Sequence, residues 1–277
     1  MKGKLFVVGT PIGNLGDISP RAIQTLETCD FIAAEDTRVT LKLLNHFEIK
    51  KPMISYFEHN KREKGEFIVN RIMAGENCAL VTDAGMPAVS DPGEELVALC
   101  HEMGVDVNVI PGPSAFVAAI AVSGMRVGRF TFEGFLSMNK AARKEHLESL
   151  VHEQRTMLFY EAPHKLSTTL VDLYSYFGER ELTIVREITK IHEEVIKTTL
   201  KNASEKYAEE KLRGEIVLVI EGAQPEEKEE ITLEIAVQMA SELAQDVGVS
   251  MAAKTIAKQT GIKKGDIYKA LQEDNNA

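Results

Sequence analysis

Cysteine is scarce in this chain. Only three occur in 277 residues, and Cys29, Cys78 and Cys100 are too scattered for a disulfide framework or a metal knuckle. They read as buried thiols of a reducing compartment. No apolar run approaches the ~20 residues of a membrane helix, and the start, MKGKLFVVG, lacks the apolar core and cleavage site of a signal peptide. The expectation is a soluble cytoplasmic protein with no membrane partner. There is no repeat of 20–50 residues, no low-complexity tract and no cluster of side chains that demands a metal. Basic charge is also short: the net charge is -10, which excludes a wholesale nucleic-acid coat. What is present is globular, 44% hydrophobic and 27% charged, and long enough for two ordinary domains or one large one.

Residues 5–19 read LFVVGTPIGNLGDIS. An apolar run, three glycines (Gly9, Gly13, Gly16) and a helix opening follow the grammar of a phosphate cradle. The strict forms fail. A P-loop needs one more residue between its glycines and a lysine where Asn14 stands, and Thr10, Pro11 and Ile12 interrupt a dinucleotide fingerprint. Two readings remain: a tight turn around Pro11, or a thin wall beside a binding cleft, with Thr10, Pro11 and Asn14 facing substrate.

From residue 4 to about 115, short apolar runs alternate with helical patterns of about ten residues, the signature of parallel strands with right-handed crossovers. LFVV leads to SPRAIQTLETC, with Ser19 as N-cap, Pro20 at the first position and Ile18, Ala22, Ile23 and Leu26 on one face. Strands follow at FIAAED, MISYFE (53–58), CALVTDAG and DVNVIPGPS, with helices at 39–47, 63–75 and 93–103 between them. A helix from Ser114 to Gly124 leaves this sheet. Residues 130–222 mix strands and helices (140–152, 163–177, 202–212), and strands 181–189 and 194–200 are close enough for an antiparallel hairpin. The expected class is α/β. A parallel five-stranded sheet (1–117) is followed by a mixed sheet (118–224) and, past the acidic run PEEKEE at 225–230, by a small helical domain (230–277).

In open α/β sheets, ligands bind beyond the carboxyl ends of strands, and polar residues gather there. The ends are GTPIGN, EDTR (35–38), EHNKRE (58–63), TDAGMPAVSDPG (82–93), PGPSA (111–115) and YEAPHK (160–165). Each has a plain structural alternative, such as a local ion pair among Glu35, Asp36 and Arg38, or an N-cap at Ser114. Their concentration on successive strand ends favours a site.

TDAGMPAVSDPGEEL followed by IPGPSA resembles the tetrapyrrole methylase superfamily, the class III S-adenosylmethionine-dependent methyltransferases. With GTPIGNLGDIS, AEDTR, EHN, FEGFL and YEAPHK, it resembles the branch that methylates the 2′-hydroxyl of a cytidine in the decoding region of small-subunit ribosomal RNA. The resemblance spans residues 4–222. It implies two α/β domains with S-adenosylmethionine between them, a small-subunit RNA or 30S partner, and a homodimer. By position it assigns the cofactor to Asp83, Ala84, Gly85, Met86, Pro87, Ser114 and Ala115 of the first domain, and to Tyr160, Gly214, Glu215 and Ile216 of the second. Relatives that act on corrins carry Gly-Asp-Pro where this chain has Ala84-Gly85-Met86. A general base for the hydroxyl has four candidates, Asp36, Glu58, His59 and Glu161, and Arg38, Lys61 and Arg62 suit RNA phosphates.

The tail, SMAAKTIAKQTGIKKGDIYKAL (250–271), has the pattern of a helix-turn-helix. Ala252, Ala253, Ile256 and Ala257 form one face, Thr260-Gly261 the turn, and Ile262, Ile267 and Leu271 the second helix's inner face, with helix 232–246 as a third. Lys254, Lys258, Lys263 and Lys264 then project as an RNA handle or as the solvated face of a packing or dimerisation module. Lys140, Arg143 and Lys144 offer a second handle. Two rival functions stay open: methylation of a tetrapyrrole or other small molecule by the same fold, and a ligand-sensing regulator that binds nucleic acid.

Overall fold

The computed structural model describes residues 2–224 and 232–274; the acidic run 225–230 lies outside them. Residues 1–223 form one compact unit and residues 224–277 a second.

The first half of the larger unit alternates strand and helix: β1 Lys4–Val8, α1 Pro20–Thr28, β2 Phe31–Ala34, α2 Thr37–His46, β3 Met53–Ser55, α3 Lys61–Met73, β4 Cys78–Val81, α4 Glu94–Glu102 and β5 Asp106–Ile110. Every pairing in its sheet is parallel, in the order β3-β2-β4-β1-β5. The all-buried strands FIAA and CALV show why periodicity of two is missing here: both faces are covered. Leu5, Phe31, Ala33 and Leu80 pack on one side, and Val8, Ile32, Ala34 and Val81 on the other. Cys29, Cys78 and Cys100 are free thiols buried in these layers. Ser19 caps α1 by accepting from the Ala22 N–H at 3.1 Å.

The second half runs α5 Ala115–Ser123, β6 Phe130–Phe135, α6 Lys140–Ser149, β7 Thr156–Glu161, α7 Leu166–Phe177, β8 Glu181–Arg186, β9 Glu194–Thr199, α8 Leu200–Glu209 and β10 Ile216–Ile220. Its sheet is mixed, in the order β6-β7-β10-β8-β9. Only β6 and β7 pair in parallel; β8 and β9 form the antiparallel hairpin. Helix α5 packs here: its Ala119 and Ile120 sit with Leu158, Val185, Val217 and Val219. The expected boundary after residue 117 therefore falls inside a helix that packs on the second sheet.

Several edges differ from expectation because local chemistry ends the elements early. Strand β3 stops at Ser55, since the Asn60 side chain turns the chain by accepting from the Phe57 N–H at 2.8 Å and donating to the Ser55 carbonyl at 3.0 Å. Strand β8 stops at Arg186 because Glu187 and Thr189 adopt positive φ, 49° and 66°.

The smaller unit consists of α9 Leu233–Val247, α10 Val249–Thr260 and α11 Lys264–Asp274. Ala236, Ala240, Ala253, Ile256, Ile267 and Leu271 form its core, with Gly261 capping α10 at φ 75°. Lys254, Lys258, Lys263 and Lys264 are exposed on it.

Gly9 of the first loop has a packing reason. The Gly9 N–H donates to the Ile110 carbonyl at 3.0 Å, which brings β1's exit against β5's. A Cβ on Gly9 would lie 2.6 Å from the Gly112 Cα, and one on Gly112 would lie 2.8 Å from the Gly9 Cα. Two backbones pass too closely for either side chain. Gly112→Ala should therefore destabilise the protein by about 1–3 kcal/mol, as overpacking does. Urea denaturation measures it, and a midpoint equal to the wild type would contradict the account.

Candidate active site

Beyond the carboxyl ends of β1, β4 and β5, three loops are tied together. The Thr10 N–H donates to the Gly85 carbonyl at 2.9 Å and the Gly85 N–H returns a bond to the Thr10 carbonyl at 3.1 Å, an isolated antiparallel bridge. The Gly112 N–H points at the Met86 sulfur, 3.3 Å away. Gly85 takes φ 91°, a conformation open to glycine. Opposite these loops stand β7, β8 and β10 of the second sheet. Between the two walls lies a cleft of about 430 Å³.

Nine of the cofactor residues named from the sequence line it: Asp83, Ala84, Gly85, Met86, Ser114, Ala115, Tyr160, Glu215 and Ile216. Two do not. Pro87 lines a small cavity behind the wall with Tyr56 and Gly93. Gly214 (φ 93°) backs onto the Glu187 side chain, which accepts from the Glu215 N–H at 2.9 Å. Ser114 occupies the N-cap of α5, the structural alternative the sequence offered, and makes no side-chain cap bond. The Phe116 N–H donates to the Tyr160 hydroxyl instead, at 3.2 Å, and ties α5 to β7. Burial, set against that bond, pushes the Tyr160 phenol above its ordinary value.

The charge of the cleft is one-sided. Glu35, Asp83, Asp91, Glu161 and Glu215 line it, and among the described residues no lysine, arginine or histidine does. Glu35 accepts from the Thr82 hydroxyl at 2.6 Å, and Asp83 accepts from the Asp36 N–H at 3.1 Å. Burial and then the neighbouring Glu35 carboxylate raise Asp83 above its ordinary pKa; burial does the same to Asp91. Carboxylates crowded this way gain from a cation between them.

The four base candidates separate clearly. Glu161, 5% exposed, is the one that lines the cleft. Its carboxylate accepts from the Ala162 N–H at 2.7 Å and from the Thr169 hydroxyl. Thr169 in turn accepts from Arg143 at 2.9 Å, and the Arg143 Nε donates to Asp172 at 2.7 Å. Asp36 lies outside the cleft lining and is committed elsewhere. It caps α2 by accepting from the Arg38 N–H at 2.8 Å and holds the Arg38 guanidinium at 2.6 Å. That guanidinium keeps its pKa down at about 2. Glu58 pairs with Lys61 at 2.7 Å, and Lys61 also holds Glu95 at 2.6 Å. His59 is exposed, edge-on to Phe57 with ring centroids 6.2 Å apart.

The substrate-side residues also divide. Thr10, expected to face substrate, is 2% exposed. Its hydroxyl points to the carbonyls of Thr82 and Gly85, at 3.3 and 3.4 Å, so it holds the wall together from within. Pro11 is half-buried, and Asn14 is exposed, with its side chain accepting from the Gly16 N–H at 3.0 Å. Arg38 and Arg62 are exposed. Lys140, Arg143 and Lys144 line a second cavity of about 550 Å³ between α6 and α7. Arg143 is bound into its wall by Asp172 and Thr169, so it serves the cavity as structure.

Sequence reasoning missed Glu35, which it treated as a local ion-pair partner, and also Ile12, Phe135, Val185, Ile188 and Val217. Val185 and Val217 carry no sequence signal, because a strand residue faces a cleft only once its sheet has a neighbour.

The sequence model of the family described as Tetrapyrrole (Corrin/Porphyrin) Methylases matches residues 4–204. A relative from Synechocystis sp., "Ribosomal RNA small subunit methyltransferase I", is 46% identical, with 98% of both chains covered. One of the same name from Thermotoga maritima is 46% identical over 79% of this chain and 99% of its own. Among solved structures, uroporphyrin-III C-methyltransferase from Thermus thermophilus, complexed with S-adenosyl homocysteine, superposes with a TM-score of 0.57 at 16% identity. It covers 79% of this chain and 97% of that one.

The Asp36–Arg38 pair makes a testable claim. A depressed pKa means that the pair's contribution to stability is present above about pH 4 and is lost as pH falls toward the folded value. Carboxyl-carbon NMR should show Asp36 titrating near pH 2, and Arg38→Ala should return it to the ordinary range. A wild-type midpoint near 4 would refute the pairing.

Proposed function

The chain belongs to the tetrapyrrole (corrin/porphyrin) methylases and, within them, to the ribosomal RNA small subunit methyltransferases I. On that premise we propose that it methylates the ribose 2′-hydroxyl of a cytidine in the decoding region of small-subunit ribosomal RNA, with S-adenosylmethionine as donor. One observation carries the reading. A cleft lined by five carboxylates and no basic side chain among the described residues lies beside a cavity lined by Lys140, Arg143, Lys144, His164 and Lys165. The two suit a cationic cofactor and an anionic polymer.

The cleft residues fit the cofactor. Ala84, Gly85 and Ala115 leave room for close backbone approach, Ile12, Met86, Val185 and Ile188 supply apolar walls, and Asp83, Asp91 and Glu35 face positive charge. When bound, S-adenosylmethionine supplies an electrophilic methyl group on a sulfonium. The protein's own part is to orient the acceptor, exclude water and take one proton. Glu161 is the group for the proton. Two donors fix its carboxylate, and a carboxylate with about four lone-pair sites keeps capacity for the ribose hydroxyl. Tyr160 accepts from Phe116 and keeps its own O–H for a ligand.

Two further parts of the proposal rest on surfaces. Helix α5 is apolar on every side, yet Val117 and Val122 are 50% and 44% exposed; a helix of that kind is normally covered, which supports a homodimer. The lysines of α10 and α11 suit RNA phosphates or the 30S surface. The Thermotoga maritima relative lacks a stretch about the size of this C-terminal unit, which supports an accessory role for it. Among the described residues no helix is long and apolar enough to cross a membrane, in keeping with work on ribosomes in the cytoplasm.

Glu161→Gln should lower kcat by about 10²-fold or more while calorimetry finds S-adenosylmethionine affinity within about twofold of wild type. Unchanged turnover would remove Glu161 from the role. For the function itself, mass mapping of small-subunit RNA from cells lacking the gene should show loss of a single decoding-region 2′-O-methyl group. An unchanged map would sink the proposal.

A further inference from the structure

The cavity between α6 and α7 is built from two loops that also serve the cofactor cleft. On the β7–α7 loop, Glu161, Ala162 and Pro163 line the cleft, while His164 and Lys165 line the cavity. Pro163 and His164 are bonded neighbours, so about 3.8 Å of chain separates the two sides. On the β6–α6 loop, Phe135 lines the cleft, and Ser137 and Met138 line the cavity.

Four features of the cavity point to one ligand chemistry. Lys140, Arg143, Lys144, His164 and Lys165 surround it against one carboxylate, Asp172, which Arg143 already holds. Among the described residues, no carboxylate lies within ion-pair distance of Lys140, His164 or Lys165, and Lys144 reaches Glu148 only at 3.6 Å. Helix α7 starts at this cavity, and its N-cap, Lys165, makes no side-chain cap bond, so the first-turn N–H groups face an uncapped end. By contrast α6 caps itself through Asn139, which accepts from Ala141 and Ala142 at 2.9 and 3.2 Å. At the lip between cavity and cleft, Phe135 is 57% exposed, with its ring centroid 5.4 Å from that of Tyr160.

We propose that the α6–α7 cavity binds a phosphodiester of the RNA strand adjoining the methylated nucleotide, with Lys140, Lys165 and the first turn of α7 as ligands and Phe135 as the base platform at the lip. The proposal rests on the RNA methyltransferase reading above. The strand crosses the two loop tips, so that its ribose meets the acidic cleft while its neighbouring phosphate meets the basic cavity. Exposed aromatics beside cations are how single-stranded RNA is held, by stacking and backbone contact. Arg143 is a positioning residue here, since it braces both the cavity wall and, through Thr169, Glu161.

The test compares the full-length wild type, Lys165→Gln, and Lys140→Gln with Lys165→Gln, using small-subunit RNA from cells lacking the gene. RNA affinity is measured across a salt series, methylation kinetics are followed, and S-adenosylmethionine affinity is determined by calorimetry. Each lost phosphate contact should make the log–log salt slope shallower by about 0.7, so the double variant loses about twice what Lys165→Gln loses. KM for RNA should rise several-fold with cofactor affinity unchanged, and Lys165→Arg should restore the slope. Wild-type slope and KM in both glutamine variants would overturn the cavity assignment while wild-type methylation still stood. A wild type that methylates no small-subunit RNA would instead overturn the functional reading beneath it.

Discussion

The close approach of Gly9 and Gly112 is the constraint on which the cleft depends. With no Cβ on either side, the exits of β1 and β5 pass backbone against backbone. That approach sets where the Thr10–Gly85 bridge forms and hence where the loop after β4 stands. Asp83, Ala84 and Gly85 reach the cleft because of it. A glycine loop that imitates a phosphate cradle thus serves the opposite charge: it thins and fixes one wall of an acidic site. The motif failures visible in residues 9–16 have this physical meaning.

Charge segregation is the second organising fact. Five carboxylates on one side of the β7–α7 loop and five basic side chains on the other lie within one unit of the chain. Apart from Glu161, these groups are at least partly exposed to solvent, so their fields reach only about a Debye length. Opposite charges are thus kept in adjacent places. Glu161 sits where the two regions meet. The chain of bonds from Asp172 through Arg143 and Thr169 to Glu161 fixes its carboxylate from the basic side. A buried carboxylate with several donors is rigid.

Helix α5 joins the two halves by a different device. It leaves the parallel sheet and packs on the mixed one, and the bond from Phe116 to Tyr160 pins its start to β7. The first turn of α5 and the end of β7 thereby share one hydrogen bond at the cleft. The C-terminal helices form a separate unit with their own small-residue core, Ala236, Ala240 and Ala253, which lets three short helices pack closely and leaves their lysines in solvent.

The sequence by itself determined the alternation of elements and much of the rim. Apolar runs such as FIAA and CALV, the Ser19-Pro20 helix opening and the polar strand ends are local signals, set by backbone propensity and burial on both faces. Nine residues that line the cleft were named by position from the family resemblance, whose motifs lie in loops at strand ends. Other assignments needed the tertiary structure. Thr10 turned inward because its hydroxyl meets two carbonyls some seventy residues away in sequence. Asp36 is held by Arg38, which folds back onto it, and Glu161 is fixed by Thr169 and Arg143, which arrive from two helices. Val185, Ile188 and Val217 became cleft wall only when the second sheet was set against the first. Contacts between residues far apart in sequence decide orientation and ionisation, and no local pattern contains them.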